Sequence, residues 1–96
     1  MPTLAQQAQI NDALVRFVES IWSRECEAAM TAYYGAELTL KAKTLYDAAM
    51  DCPVDWYQNN MNEALGILAN YLAAEFPWLS AEARTRLNYN FIMTWK

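Results

Sequence analysis

The chain has 96 residues, of which 55% are apolar, and its formal charge at pH 7 is −4. A chain of this length suits one domain, residues 1–96, which buries about two-thirds of its unfolded surface without needing a metal or a disulfide. The sequence contains no histidine, the commonest general base and metal ligand, and its two glycines are too few for a glycine-rich phosphate-binding loop. We therefore expect no enzyme activity, no metal and no cofactor.

The fold class follows from how rarely the chain is interrupted. Only two Gly and three Pro occur, which indicates a few long helices rather than many short strands. The sequence predicts an all-α fold, a compact bundle of about four helices. Their approximate bounds are 4–34, 37–51, 55–76 and 81–95.

The first predicted helix begins with a capping box in which Gln6 follows Thr3 by three residues; Asn11 or Asp12 is a second possible start. Its apolar stripe comprises Ile10, Leu14, Phe17 and Ile21, and continues to Tyr33 with the drift of a helical period. Gly35 is a natural C-terminal stop. A link this short predicts that helices one and two are antiparallel neighbours.

The second predicted helix ends near Asp51, because Pro53 cannot continue it. Asp55 is the predicted N-cap of helix three, and Asn60 is an alternative, later cap because Glu63 would complete a capping box. Ser80 is the predicted N-cap of helix four.

Residues 61–79 form the most apolar run, and they predict a helix around which the others are arranged. One face of that helix comprises Met61, Leu65, Leu68, Leu72 and Phe76. Asn70 and Glu75 interrupt the run, which is already shorter than the roughly 20 residues that span a membrane. We therefore expect no membrane association.

Two cysteines, Cys26 and Cys52, are predicted to be free thiols. If helices one and two form a hairpin that turns near Gly35, the cysteines are offset by about 10 Å, which is beyond disulfide reach. The N-terminal residues lack the basic and apolar segments of a secretory signal. These features predict a cytoplasmic protein.

Charge is distributed unevenly along the chain. Residues 44–83 contain six acidic and no basic residues, whereas the rest carries seven basic and five acidic ones. Such a segment repels nucleic-acid phosphate and attracts a basic protein surface. The candidate partner-binding residues are Asp47, Asp51, Asp55, Trp56, Tyr57, Asn59 and Asn60. They combine charge for steering, aromatic rings for burial and amides for orientation.

Two other readings of the carboxylates remain open. Asp47 and Asp51 lie four residues apart, at a helix end where they oppose the macrodipole, and they also fit an ordinary solvated terminus. Cation binding is less favoured, because calcium loops place closely spaced oxygens around a glycine that this segment lacks.

Small acidic helical domains without catalytic residues include toxin-immunity proteins and the inhibitors that phages and other mobile elements direct at host enzymes. By this analogy we expect a non-catalytic inhibitor or immunity-type protein that occludes a basic surface of a protein partner. The first alternative is a structural or adaptor protein that homodimerises through helix four. The residues of that dimer face are Tyr89, Ile92, Met93 and Trp95. The second alternative is a nucleic-acid accessory factor that uses Arg84, Arg86 and Lys96, a weak basic patch.

Overall fold

The structure is a computed structural model that describes residues 2–95, and within that range it contains five α-helices and no strand. The helices are α1 (Leu4–Phe17), α2 (Arg24–Tyr34), α3 (Ala36–Met50), α4 (Met61–Glu75) and α5 (Ala81–Trp95). The all-α prediction is confirmed. The prediction of about four helices is close but one too few, because the first predicted helix is divided.

The centre of the molecule consists of α1, α3 and α5, each of which packs against the other two. Two hydrogen bonds show how α3 and α5 run relative to each other. Tyr46 is hydrogen-bonded to Asn90, and Met50, four residues later on α3, is hydrogen-bonded to Trp95, five residues later on α5. These two helices are therefore parallel. The other two helices lie at the sides of this centre, with α2 packed on α1 and α3, and α4 packed on α3 and α5.

The link 18–23 replaces the middle of the predicted helix over 4–34. Val18 leaves the helix with an extended backbone, and Ser23 caps α2 by accepting a 3.1 Å hydrogen bond from the Cys26 N–H. As a result Ile21, which was predicted for the core, is 63% exposed. The prediction of one continuous helix is wrong because it followed the apolar period and did not weigh a serine cap inside it.

Side chains of α5 bind the carbonyl groups that this break exposes. The Arg86 guanidinium donates to the Val18 carbonyl, and the Asn90 amide donates to the Glu19 carbonyl at 2.9 Å. Carbonyls at the end of a helix need partners of this kind when they are buried. The break is thus stabilised by residues that lie far away in the sequence.

The fourth helix begins at Met61, so the predicted start at Asp55 is wrong and the alternative cap is correct. The Asn60 side chain accepts from the Glu63 N–H, and the Glu63 carboxylate accepts from the Asn60 N–H, both at 2.9 Å. This reciprocal pair satisfies two donors at the helix start. Residues 52–60 consequently form a link rather than a first helical turn.

The helix predicted to organise the chain lies at the side of the bundle. Its inward residues Ala64, Leu68 and Leu72 are fully buried, but α4 contacts only α3 and α5. The most apolar run is therefore not the centre of the bundle: α3 buries seven residues, whereas α4 buries three. None of the described helices has the length and apolarity needed to cross a membrane.

Candidate protein-binding surface

The C-terminal ends of α3 and α5 meet at one end of the molecule. The Trp95 indole N–H donates to the Met50 carbonyl at 2.9 Å, which joins the last turns of the two helices. Because the helices are parallel, the negative ends of both macrodipoles lie at this corner. No basic residue lies in the last turn of either helix within the described residues. Asp51 adds a carboxylate as the C-cap of α3.

Asp55 shapes the link that crosses this end of the bundle. Its carboxylate accepts a 3.0 Å hydrogen bond from the Tyr57 N–H, the geometry of an Asx turn. Its carbonyl accepts from the N–H groups of Gln58 and Asn59, at 3.1 and 3.0 Å. The turn holds Trp56 and Tyr57 at its tip, and the Tyr57 side chain is fully exposed.

Trp56 is anchored against α5. Its ring stacks on Phe91, with centroids 6.2 Å apart and planes 23° apart, and lies 5.8 Å from the Trp95 ring. Trp56 remains 39% exposed and Trp95 45% exposed. We call Asp51, Asp55, Trp56, Tyr57 and Trp95 the acidic-aromatic corner. It combines two carboxylates with ring surface that is already held in position.

Asp47 is placed differently from the other two predicted aspartates. Its carboxylate forms an ion pair with Lys43 at 2.5 Å, one turn earlier on the exposed side of α3. The Lys43 ammonium also lies 5.5 Å from the centre of the Trp22 ring, in the link between α1 and α2. The charge of Asp47 therefore has an internal partner, whereas Asp51 and Asp55 form no ion pair with another described residue.

The amides of Asn59 and Asn60 maintain the shape of the link. The Asn59 side chain donates to the Asp55 carbonyl at 3.0 Å, and the Asn60 side chain caps α4. Both asparagines therefore have intramolecular roles. Sequence reasoning assigned Trp95 to a different surface, and no local signal links it to Trp56, because the two rings meet only in the tertiary structure.

The surface proposed for a dimer is divided by the fold. Tyr89 and Met93 are exposed one turn apart on α5, whereas Ile92 is half-buried and Trp95 belongs to the acidic-aromatic corner. Tyr89 and Met93 alone form a narrow apolar strip.

The arginines proposed to bind nucleic acid are occupied with backbone carbonyls. Arg84 donates to the carbonyls of Leu79 and Pro77, at 3.2 and 3.3 Å, and Arg86 donates to Val18. Lys96, the third member of that patch, lies outside the described residues. These bonds use two of the five guanidinium N–H donors of Arg84 and one of those of Arg86.

Among the described residues, three titratable groups have shifted pKa values: Tyr46 and Cys52 are buried, and Tyr71 on α4 is half-buried. Burial raises the pKa of the Cys52 thiol and of Tyr46; beside Tyr46, the Trp22 N–H hydrogen bond opposes the shift. Cys26 and Cys52 are both buried free thiols. Among residues 2–95, no three Cys, Asp or Glu side chains come together as a metal site would require.

Comparison of the chain with protein-family models, with curated proteins and with solved structures found no match in any of the three.

Proposed function

We propose that the protein is a non-catalytic binding protein that uses the acidic-aromatic corner to cover a basic surface of a protein partner, in the manner of an inhibitor or immunity protein. The observation that carries this proposal is the meeting of Trp56 and Trp95 beside the carboxylates of Asp51 and Asp55, neither of which forms an ion pair with any of residues 2–95.

The electrostatic part of the argument rests on helix direction. Two parallel helices end at the corner, and within the described residues neither has a cation in its last turn. Negative helix ends next to carboxylates generate a field that accelerates encounter with a cationic partner. Complementary charge mainly sets the association rate and the choice of partner.

The aromatic part supplies affinity after the encounter. Trp and Tyr are enriched among the residues that dominate binding energy in interfaces. Stacking on Phe91 and the Asx turn of Asp55 hold Trp56 in position before binding. A preorganised ring loses little conformational entropy when a partner covers it. Tyr57, fully exposed at the tip of the turn, is the contact that binding would bury most.

The test is capture of partners from an extract of the native host, followed by binding measurements on the purified complex. The bait variant is Asp51→Asn with Asp55→Asn, because asparagine keeps the acceptor for the Tyr57 N–H and removes both charges. The matched control is Glu19→Gln with Glu75→Gln, which removes the same charge elsewhere; both control residues are exposed and form no described ion pair.

We expect the wild type and the control to retain the same protein with a basic surface, and the corner variant to lose it. Association with that protein should slow as salt concentration rises. Tyr57→Ala should weaken the purified complex mainly through faster dissociation. Equal retention by the corner variant and the control would contradict the proposal.

A second candidate function, homodimerisation as a structural or adaptor protein, is favoured by the exposed pair Tyr89 and Met93. Sedimentation equilibrium at high micromolar concentration tests it. A dimer that dissociates on Tyr89→Ser with Met93→Ser supports this alternative, and a strict monomer eliminates it.

A further inference from the structure

An apolar groove lies on the side of α3 that faces away from the stacked rings of Trp56 and Phe91. Ile10 and Leu45, which are almost fully buried, form its floor, while Ala48 and Phe76 form its walls. Its volume is about 340 Å³, within the range of roughly 300–1,000 Å³ that is typical of small-molecule sites. Leu40 stands on the rim and is 67% exposed.

One charged side chain lines this groove. Lys41 lines the groove beside the apolar residues, and its ammonium donates a hydrogen bond to the Gln6 side-chain oxygen at 2.9 Å. Glu37 lies 3.8 Å away and is largely exposed to solvent, so its hold on Lys41 is weak. An apolar cavity with a single cation at its edge is complementary to a molecule with an aliphatic body and one negative group.

We propose that this groove binds a medium-chain aliphatic carboxylate, with the hydrocarbon chain over Ile10 and Leu45 and the carboxylate beside Lys41. Binding would bury apolar surface that is now in water, on both the groove and the ligand. The Lys41 ammonium would exchange a neutral amide acceptor for a charged one, which forms the stronger hydrogen bond. This site is independent of the acidic-aromatic corner.

The aromatic wall supports a preformed groove. Phe76 packs edge-on against both Tyr71 and Trp78, with each pair of ring centroids 6.2 Å apart. Such edge-to-face contacts fix the position of a ring. The groove is therefore open without a rearrangement of the bundle.

The experiment is an NMR titration of the ¹⁵N-labelled protein with hexanoate, octanoate and decanoate. Octanol and octylammonium serve as head-group controls. We expect saturable shifts at the amides of Ile10, Leu45 and Ala48. Each added methylene should tighten binding about two- to fourfold, until the groove is full. Octanoate should bind more tightly than octanol, and octylammonium most weakly.

Variants separate the two halves of the site. Lys41→Met keeps the aliphatic stem and should weaken octanoate roughly three- to fivefold while leaving octanol unchanged. Ala48→Phe fills the groove and should abolish both, provided that circular dichroism shows a native helix content. Leu40→Ala, which removes only the rim and is safe for folding, should weaken both ligands.

Three results would overturn the proposal. The first is equal affinity for octanoate and octylammonium, which removes the role of Lys41. The second is shifts centred on Trp56 and Trp95, which moves the ligand to the corner. The third is groove resonances that move with protein concentration alone, which makes a second copy of the chain the occupant.

Discussion

The Tyr46 hydroxyl donates a 2.8 Å hydrogen bond to Oδ1 of Asn90 across the interface of α3 and α5. Asn90 is completely buried, and its amide nitrogen donates to the carbonyls of Glu19 and Arg86, at 2.9 and 2.8 Å. The hydroxyl in turn accepts from the Trp22 N–H at 3.3 Å. One buried amide thus joins α3, α5 and the link between α1 and α2.

Replacing this amide should be among the most destabilising polar changes in the protein. Asn90→Ala removes the partner of the Glu19 carbonyl and the acceptor to which the Tyr46 hydroxyl donates, at a cost of about 1–3 kcal/mol for each buried group. Tyr46→Phe should cost less, because it keeps the buried ring and the two hydrogen bonds that the Asn90 amide donates. Urea denaturation measures both changes, and the double variant should be less destabilised than the sum of the two. A loss below about 0.5 kcal/mol for Asn90→Ala would contradict this role.

Leu68 tests whether α4 contributes to the core despite its position at the side of the bundle. The side chain is fully buried, so Leu68→Ala should lower the free energy of unfolding by about 2–5 kcal/mol. Leu4→Ala is the matched control, because Leu4 is 84% exposed and its loss should change stability by less than about 0.5 kcal/mol. If the two variants are equally stable, α4 does not pack as described.

Stability should decline in alkaline solution. Burial raises the pKa of Tyr46 above its ordinary value of 10.0, and burial, then Glu75 and Cys52, raise the pKa of Tyr71. Below pH 10 these phenols are protonated in both the folded and the unfolded chain, so their contribution to the free energy of unfolding is complete. Above that pH the unfolded chain ionises first, and the contribution is lost as pH rises through the folded pKa values.

Burial likewise raises the pKa of Cys52 above its ordinary value of 9.0, so the same loss begins for the thiol above pH 9. Urea denaturation from pH 8 to pH 12 should show this decline. Tyr46→Phe should make it shallower without abolishing it, because Tyr71 and Cys52 remain. Stability that stays constant up to pH 12 would show that these groups titrate normally in the fold.

Charge reversal at two neighbouring aspartates should have opposite effects. Asp51→Lys places a cation at the C-cap of α3, where the macrodipole favours it. This change should raise the free energy of unfolding by roughly a few tenths of a kcal/mol. Asp47→Lys breaks the pair with Lys43 and should destabilise by about 0.3–0.5 kcal/mol. Thermal unfolding at low and high salt measures both, and the difference should shrink at high salt. Equal effects would mean that the Lys43 pair contributes nothing.

The acidic-aromatic corner could be predicted from the sequence only in part. Asp51, Asp55, Trp56 and Tyr57 follow one another closely, so their proximity was evident. The participation of Trp95 was not, because its contact with Trp56 depends on the parallel packing of α3 and α5. The Lys43–Asp47 pair is an i,i+4 contact that charge spacing alone would have identified, although the prediction assigned Asp47 to the partner-binding surface.

Helix type and most helix ends were determined by the sequence itself. Thr3, Asn60 and Ser80 each cap a helix by accepting from an N–H three residues ahead. Gly35 ends α2 and, with φ of 94°, forms the whole turn into α3. Such signals act over one helical turn, so they are legible without any knowledge of the fold.

Only the tertiary structure decided that α1 and α2 are separate and that α4 lies at the side of the bundle. The carbonyls at the break are satisfied by Arg86 and Asn90, which lie 68 and 71 residues further along the chain. Helical periodicity is the same whether a stripe is continuous or interrupted. Whether the chain forms one helix or two depends on buried hydrogen-bond partners for the carbonyls at the break. These partners reach the break only when α5 packs against α1.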